Sequence, residues 1–196
     1  LKPLSYYQEK YGTWKYGLNK LYLLMEKQHN RGQDGAGAVC VKNSLAPGSA
    51  YISRFRSVKE NPIKDVFDQI NEPLQKAQWK REPVDDIEWA YQNFSFAGEL
   101  YLGHLRYGTF GKNSIDLVHP VMRENNWKSR NLVLAGNFNL TNVDELFDVL
   151  VELGQHPKEM SDTVTVMEKI GHFLDEENER LFAKYKALGY SKQQIS

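Results

Sequence analysis

Arg31-Gly32-Gln33-Asp34-Gly35-Ala36-Gly37 places three glycines in seven residues, between a stretch of helical periodicity and a short apolar run. Glycines at this density end a helix and open φ/ψ space for a turn. Before them, Thr13 reads as the N-cap of a helix to about Asn30. Leu18, Leu21, Tyr22 and Met25 form its apolar stripe at i, i+3, i+4 and i+7. After them, Ala38-Val39-Cys40-Val41 reads as a strand. A second strand near Tyr51 to Phe55 follows a turn with Pro47 and Gly48, and the two make a hairpin.

Residues 59–97 are polar, carry Pro62, Pro73 and Pro83, and read as a surface insertion with a helix near Ile63 to Ile70. Glu99 to Tyr107 and Asn131 to Ala135 read as further strands. A helix from about Val143 to Leu153 follows, with Asn142 and Glu145 at capping-box spacing and Leu146, Val149, Leu150 and Leu153 facing inward. Gly154 ends it. A last helix runs from about Asp162 to Leu188, its core face given as Val166, Ile170, Phe173, Leu174, Leu181 and Tyr185. Hairpins with helices before and after suggest α+β layering, with 1–196 as a single domain.

Lys plus Arg (25) equals Asp plus Glu (25), so no global field favours nucleic acid or an anionic membrane. No apolar run approaches the ~18 residues of a membrane span. Cys40, the only cysteine, can form no internal disulfide, and a cytoplasmic setting is the simplest.

Three loops hold the residues suited to chemistry, and each has a plain structural alternative. Arg31–Gly37 could be a helix C-cap and tight turn, and Gly103–Gly111 a strand ending in a glycine turn. Gly136–Asn142 could be a strand-to-helix turn with an Asn cap. Asp162 is equally placed to be the N-cap of the last helix. His104, His119, His156 and His172 lack metal-ligand spacing and read as satisfied or surface side chains. The mixed charges of residues 175–186 read as a solvated face.

Taken together and in this order, the loops resemble the glutaminase domain of the amidophosphoribosyltransferase family, glutamine amidotransferases of the N-terminal-nucleophile class. The resemblance runs from about Thr13 to Leu174 and is poor between Lys42 and Ala97. It implies a four-layer αββα sandwich. It also implies a reaction in which glutamine releases ammonia for transfer to phosphoribosyl pyrophosphate in purine biosynthesis. Arg106 would grip the substrate carboxylate through paired charge-assisted bonds, Thr109 would add a hydroxyl, and Asp162 would hold the ammonium. Asn137 and the Phe138 backbone N–H would form the oxyanion hole. Arg31 and Gly32 would lie beside the nucleophile. No metal is expected in this domain; magnesium is expected with the pyrophosphate in a phosphoribosyltransferase half outside the chain. The oligomeric state is left open, a homo-oligomer included.

The pattern also departs from the family. Members use an N-terminal cysteine whose own α-amino group is the base, and Leu1 cannot serve. Cys40 falls mid-strand and reads as a small core residue. The chain is therefore expected to be an internal segment, inactive as written, whose nucleophile lies upstream. The family usually has glycine at Phe138, histidine at Gly136 and serine at Gly108. The alternatives are a degenerate glutaminase-like domain serving as a glutamine-binding or structural module, or the glutaminase of another amidotransferase.

Overall fold

The computed structural model describes residues 2–108, 114–137, 140–157 and 161–195. They fall into two compact units, Leu1–Pro120 and Val121–Ser196. Each unit has one antiparallel sheet among the described residues. The α+β character expected from sequence is present. Among the described residues, each unit shows one sheet with helices, which is not the two-sheet αββα sandwich implied by the resemblance.

The first unit is built on strands β1 (Gly35–Val41), β2 (Ile52–Ser57) and β3 (Leu100–Arg106), in the order β2-β1-β3. Strand alternation sends Ala36, Ala38 and Cys40 of the central strand to one face, where all three are fully buried. Helices α2 (Tyr16–Gln28) and α3 (Pro62–Trp79) cover that face. Leu18, Leu21 and Met25 come from α2, and Ile63, Val66, Phe67 and Ile70 from α3. The small side chains of β1 let these larger ones close over the sheet, each burial contributing roughly 1.5–3 kcal/mol. Tyr22, placed by periodicity on the buried stripe, is 38% exposed. Thr13 is not the cap: α2 starts after Lys15, and the Thr13 hydroxyl accepts the Lys15 N–H at 3.2 Å.

Residues 59–97 contribute to this core. Helix α3 passes through Pro73 and buries Leu74 and Ala77 beyond it. Helix α4 (Ile87–Asn93) follows, capped by the Asp86 side chain, and Phe94, Phe96 and Ala97 are buried after it. The surface character expected for this segment therefore holds only for its outward side. A further helix, α1 (Leu4–Tyr11), precedes α2 and buries Leu4 and Tyr7.

On the other face of the sheet, the segment before Pro120 lies across β1. A Cβ at Gly37 would sit 2.1 Å from the His119 carbonyl oxygen, an approach only glycine permits. Arg54 and Arg56 of β2 hold the same segment, donating to the Pro120 carbonyl at 3.3 Å and the Val118 carbonyl at 3.0 Å.

The second unit pairs two short strands, β4 (Val121–Arg123) and β5 (Leu132–Leu134), with helices α5 (Val143–Glu152) and α6 (Asp162–Ala187). A short helix, α7 (Lys192–Ile195), ends the described chain. Two sequence expectations need correction here. Asn142 makes no side-chain cap bond to α5, and of the four residues expected inward only Leu150 is fully buried; Val149 and Leu153 are 37% and 46% exposed. The inward face of α6 is likewise not the apolar stripe. Thr163, Thr165, Met167 and Gly171 are buried, whereas Ile170 and Phe173 are 37% and 56% exposed.

The reason is an ion network along α6. Arg123 of β4 reaches Glu168 at 3.2 Å and Asp175 at 2.5 Å, and Arg130 reaches Asp175 at 3.7 Å and Glu179 at 3.6 Å. A Cβ at Gly171 would lie 2.5 Å from Arg123 Nε, so the guanidinium lies directly against the helix. Both acids fall in the stretch expected as a solvated face: Glu179 stays there, its side chain 73% exposed, whereas Asp175, at 27%, is drawn against the arginines of the β4–β5 region.

Candidate functional site

The expected site residues divide between the units. Arg31, Gly32 and Arg106 lie in the first; Asn137 and Asp162 lie in the second. Thr109 and Phe138 lie outside the described residues.

In the first unit, α2 ends in a single 3-10 turn, His29–Arg31, which leaves Arg31 exposed. The Gly32 N–H donates to the His29 carbonyl at 3.1 Å, and the backbone then extends. A Cβ at Gly32 would stand 2.8 Å from both the carbonyl carbon and Cβ of Leu105, so this glycine allows the loop to lie on β3. Two residues on, the Asp34 N–H donates to the Arg106 carbonyl at 3.1 Å. The Asp34 carboxylate oxygen Oδ2 accepts the Gly108 N–H at 2.7 Å. Gly35 then pairs with Arg106 in the sheet. The Arg31–Gly37 loop is thus bonded along the end of β3, where Arg106 is 8% exposed. Two of the three motif segments therefore meet inside one unit.

A cleft of about 270 Å³ borders this loop. Gly32 and Gln33 form one wall, Glu26 and His29 another, and Asn61 and Lys64 at the start of α3 a third. The volume is close to the lower bound of roughly 300 Å³ for small-molecule sites.

In the second unit, the Leu140 N–H donates to Asp162 Oδ2 at 2.8 Å. Asp162 is the first residue of α6 and not its cap. Ser161 caps the helix, its hydroxyl accepting the Val164 N–H at 3.3 Å. Asp162 therefore ties the loop that begins at Gly136 to the start of α6, with Asn137 exposed in that loop. The third motif segment and the expected ammonium partner meet here.

Burial raises the Cys40 thiol to about 12, so at neutral pH it is neither thiolate nor nucleophile. Cys40 is the core residue its strand position suggested. His104 differs from expectation: its Nδ1 is buried without a hydrogen-bond partner, and its ring lies 4.6 Å from that of His119. Burial first, and the neighbouring His119 second, lower its pKa to about 4 and keep it neutral at physiological pH. Among the described residues no three His, Cys, Asp or Glu side chains come together to hold a metal ion. Among them also, no helix is long and apolar enough to cross a membrane.

The residue that sequence reasoning passed over is Asp34. Its signal was available: a short carboxylate in a glycine-rich loop typically bonds nearby backbone N–H groups. The partner, 74 positions away, could come only from the fold.

No protein-family profile matches the chain. It is similar to the amidophosphoribosyltransferase of Pasteurella multocida (strain Pm70), with 27% identity over 168 residues. The match covers 85% of this chain but only 26% of that protein, so the chain spans about a quarter of its relative's length.

Proposed function

We propose that this chain is the glutamine-hydrolysing part of an amidotransferase that delivers ammonia to phosphoribosyl pyrophosphate bound elsewhere in a longer protein. The observation that carries this is the bonding of the Arg31–Gly37 loop to the Arg106–Gly108 segment, because it fixes a buried arginine next to the loop that the resemblance places beside the nucleophile. The similarity to an amidophosphoribosyltransferase supports the same function. The αββα sandwich of N-terminal-nucleophile hydrolases is proposed with it.

In this mechanism Arg106 binds the glutamine carboxylate and Thr109 adds a hydroxyl donor. Asp162 binds the ammonium: a carboxylate has about four acceptor sites, so its bond to Leu140 leaves capacity for the substrate. A cysteine thiolate upstream of Leu1, in the full-length protein, attacks the side-chain amide carbon. Asn137 and the Phe138 N–H stabilise the resulting oxyanion, each donor being worth roughly 3–4 kcal/mol. Its collapse expels ammonia, protonated by the α-amino group that took the thiol proton. Water then cleaves the thioester to give glutamate. The glutaminase step requires no metal, while transfer requires magnesium with the pyrophosphate.

The test uses the full-length protein, assayed for glutamate release, for ammonia-dependent transfer and for labelling by an electrophilic glutamine analogue. The analogue should modify one N-terminal cysteine. Arg106→Lys should lower glutamine kcat/KM by roughly 100-fold, because an ammonium cannot reproduce the paired guanidinium grip, with ammonia-dependent transfer intact. Equal loss of both activities would reduce Arg106 to a folding role. A mature N-terminus without Cys, Ser or Thr would leave the glutamine-binding module, which the Phe138 substitution favours.

A further inference from the structure

We infer that Asp34 is a positioning residue for glutamine recognition: it sets the backbone from Arg106 to Gly108 while making no contact with substrate. This rests on the glutaminase function proposed above. Asp34 bonds β3's continuation from both ends. Its N–H donates to the Arg106 carbonyl at 3.1 Å, and its carboxylate accepts the Gly108 N–H at 2.7 Å. The next pair along, Gly35 with Arg106, is a regular sheet pair. β3 ends at Arg106, and the Asp34 side chain takes up the next described amide bond beyond it. Strand pairing and the Asp34 N–H hold Arg106; the Asp34 carboxylate holds the backbone that follows it, as far as Gly108. Gly108 accommodates this closeness, since a Cβ there would lie 3.3 Å from Asp34 Oδ2.

The bond needs an oxygen acceptor at this place, and the charge only strengthens it. An asparagine keeps the acceptor; an alanine removes it. A residue contacting the substrate ammonium would instead depend on the charge itself. The two substitutions therefore separate positioning from binding.

In the full-length protein, Asp34→Ala should raise the glutamine KM by up to about tenfold, the limit set by one intramolecular hydrogen bond to a charged group that no longer orders the binding backbone. Its kcat should change less, and ammonia-dependent transfer should stay at the wild-type level. Residue-resolved hydrogen exchange should show faster exchange at the Gly108 amide. Asp34→Asn should recover most of both effects. Asp34→Asn as impaired as Asp34→Ala, with Gly108 exchange restored, would overturn the inference by showing that the charge meets substrate. Unchanged Gly108 exchange in Asp34→Ala would overturn it outright. Wild-type protein that hydrolyses no glutamine would sink the glutaminase function and this inference together. An active wild type matched by Asp34→Ala would sink the inference alone.

Discussion

In the first unit the Gly108 amide reaches the Asp34 carboxylate at 2.7 Å; in the second the Leu140 amide reaches the Asp162 carboxylate at 2.8 Å. The local device is the same, a short acidic side chain holding a loop through one backbone N–H. The supports differ. Asp34 directly precedes the seven-residue β1, whose Ala36, Ala38 and Cys40 are fully buried, opposite the end of the seven-residue β3, and the loop beside it is pressed on β3 through Gly32. Asp162 opens a helix whose inner face is set partly by ion pairs, in a unit whose paired strands have three residues each. Sheet pairing defines the first loop before any side chain acts. The second depends more on individual polar side chains, so only substitutions at exposed positions such as Asn137, outside those bonds, should alter chemistry without altering the fold.

The sharpest way to break this comparison sets Asn137→Ala against Gly32→Ala. Asn137 is exposed, so its loss should leave thermal stability unchanged. Its loss should also lower glutamine kcat by roughly 100-fold or more, the usual result of deleting one oxyanion donor. Gly32→Ala forces a Cβ to within 2.8 Å of Leu105 backbone and side chain. It should cost about 1–3 kcal/mol of stability, as overpacking does, read as a lower melting temperature. The opposite pattern, an unstable Asn137→Ala and a neutral Gly32→Ala, would reverse the ranking of the two loops.

This contrast also explains what could be read from the chain. The β1–β2 hairpin, β3 and α2 were legible from short apolar runs between turn residues and from one 3.6-residue stripe: Ala38, Val39 and Cys40 are buried, and Leu18, Leu21 and Met25 recur on one face. Pro73 concealed the second half of α3. An interior proline costs about 3 kcal/mol, but burial of Leu74 and Ala77 beyond it offsets that. Helix α1 was missed because two buried residues, Leu4 and Tyr7, make too short a stripe. On α6 the apolar period matches burial only in part: Val166, Leu174 and Leu181 are half-buried, while Ile170, Phe173 and Tyr185 are exposed. Arg123 and Arg130 draw Glu168 and Asp175 inward, and pairing between distant charges leaves no periodic trace. Among the site residues, the turn at Arg31–Asp34 was legible, but Gly35–Gly37, expected in that turn, belong to β1. What the turn bonds to was not legible, since Asp34 and Gly108 are 74 positions apart.

Asp162→Asn is a smaller and more specific probe. An asparagine oxygen can still accept the Leu140 N–H, so loop and helix start should keep their place. The negative charge proposed to hold the glutamine ammonium is lost. Glutamine KM should rise roughly tenfold, about the worth of one hydrogen bond to a charged group, with the melting temperature unchanged. Asp34→Asn should leave KM near wild type. Matching behaviour of the two asparagine variants would mean that both aspartates do the same job, and would remove Asp162 from substrate binding.

The smallest effect is expected at Gly108, where the resemblance anticipates serine. Its Cβ would meet Asp34 Oδ2 at 3.3 Å and the Asp34 Cβ and Cγ at 3.4 Å, tight contacts that a few tenths of an ångström relieve. Gly108 is exposed, and its φ is outside the left-handed region, so a side chain adds no backbone strain. Gly108→Ser should therefore leave stability within about 0.5 kcal/mol, as for surface positions generally, and change glutamine KM less than the Asp34→Ala variant does. Because the bond to Asp34 uses the backbone N–H, serine keeps it. A large rise in KM for Gly108→Ser, with the Gly108 amide exchanging fast, would show that this junction has no room to adjust. Asp34 would then hold a strained contact, and the first unit would lose its standing as the pre-set half of the comparison.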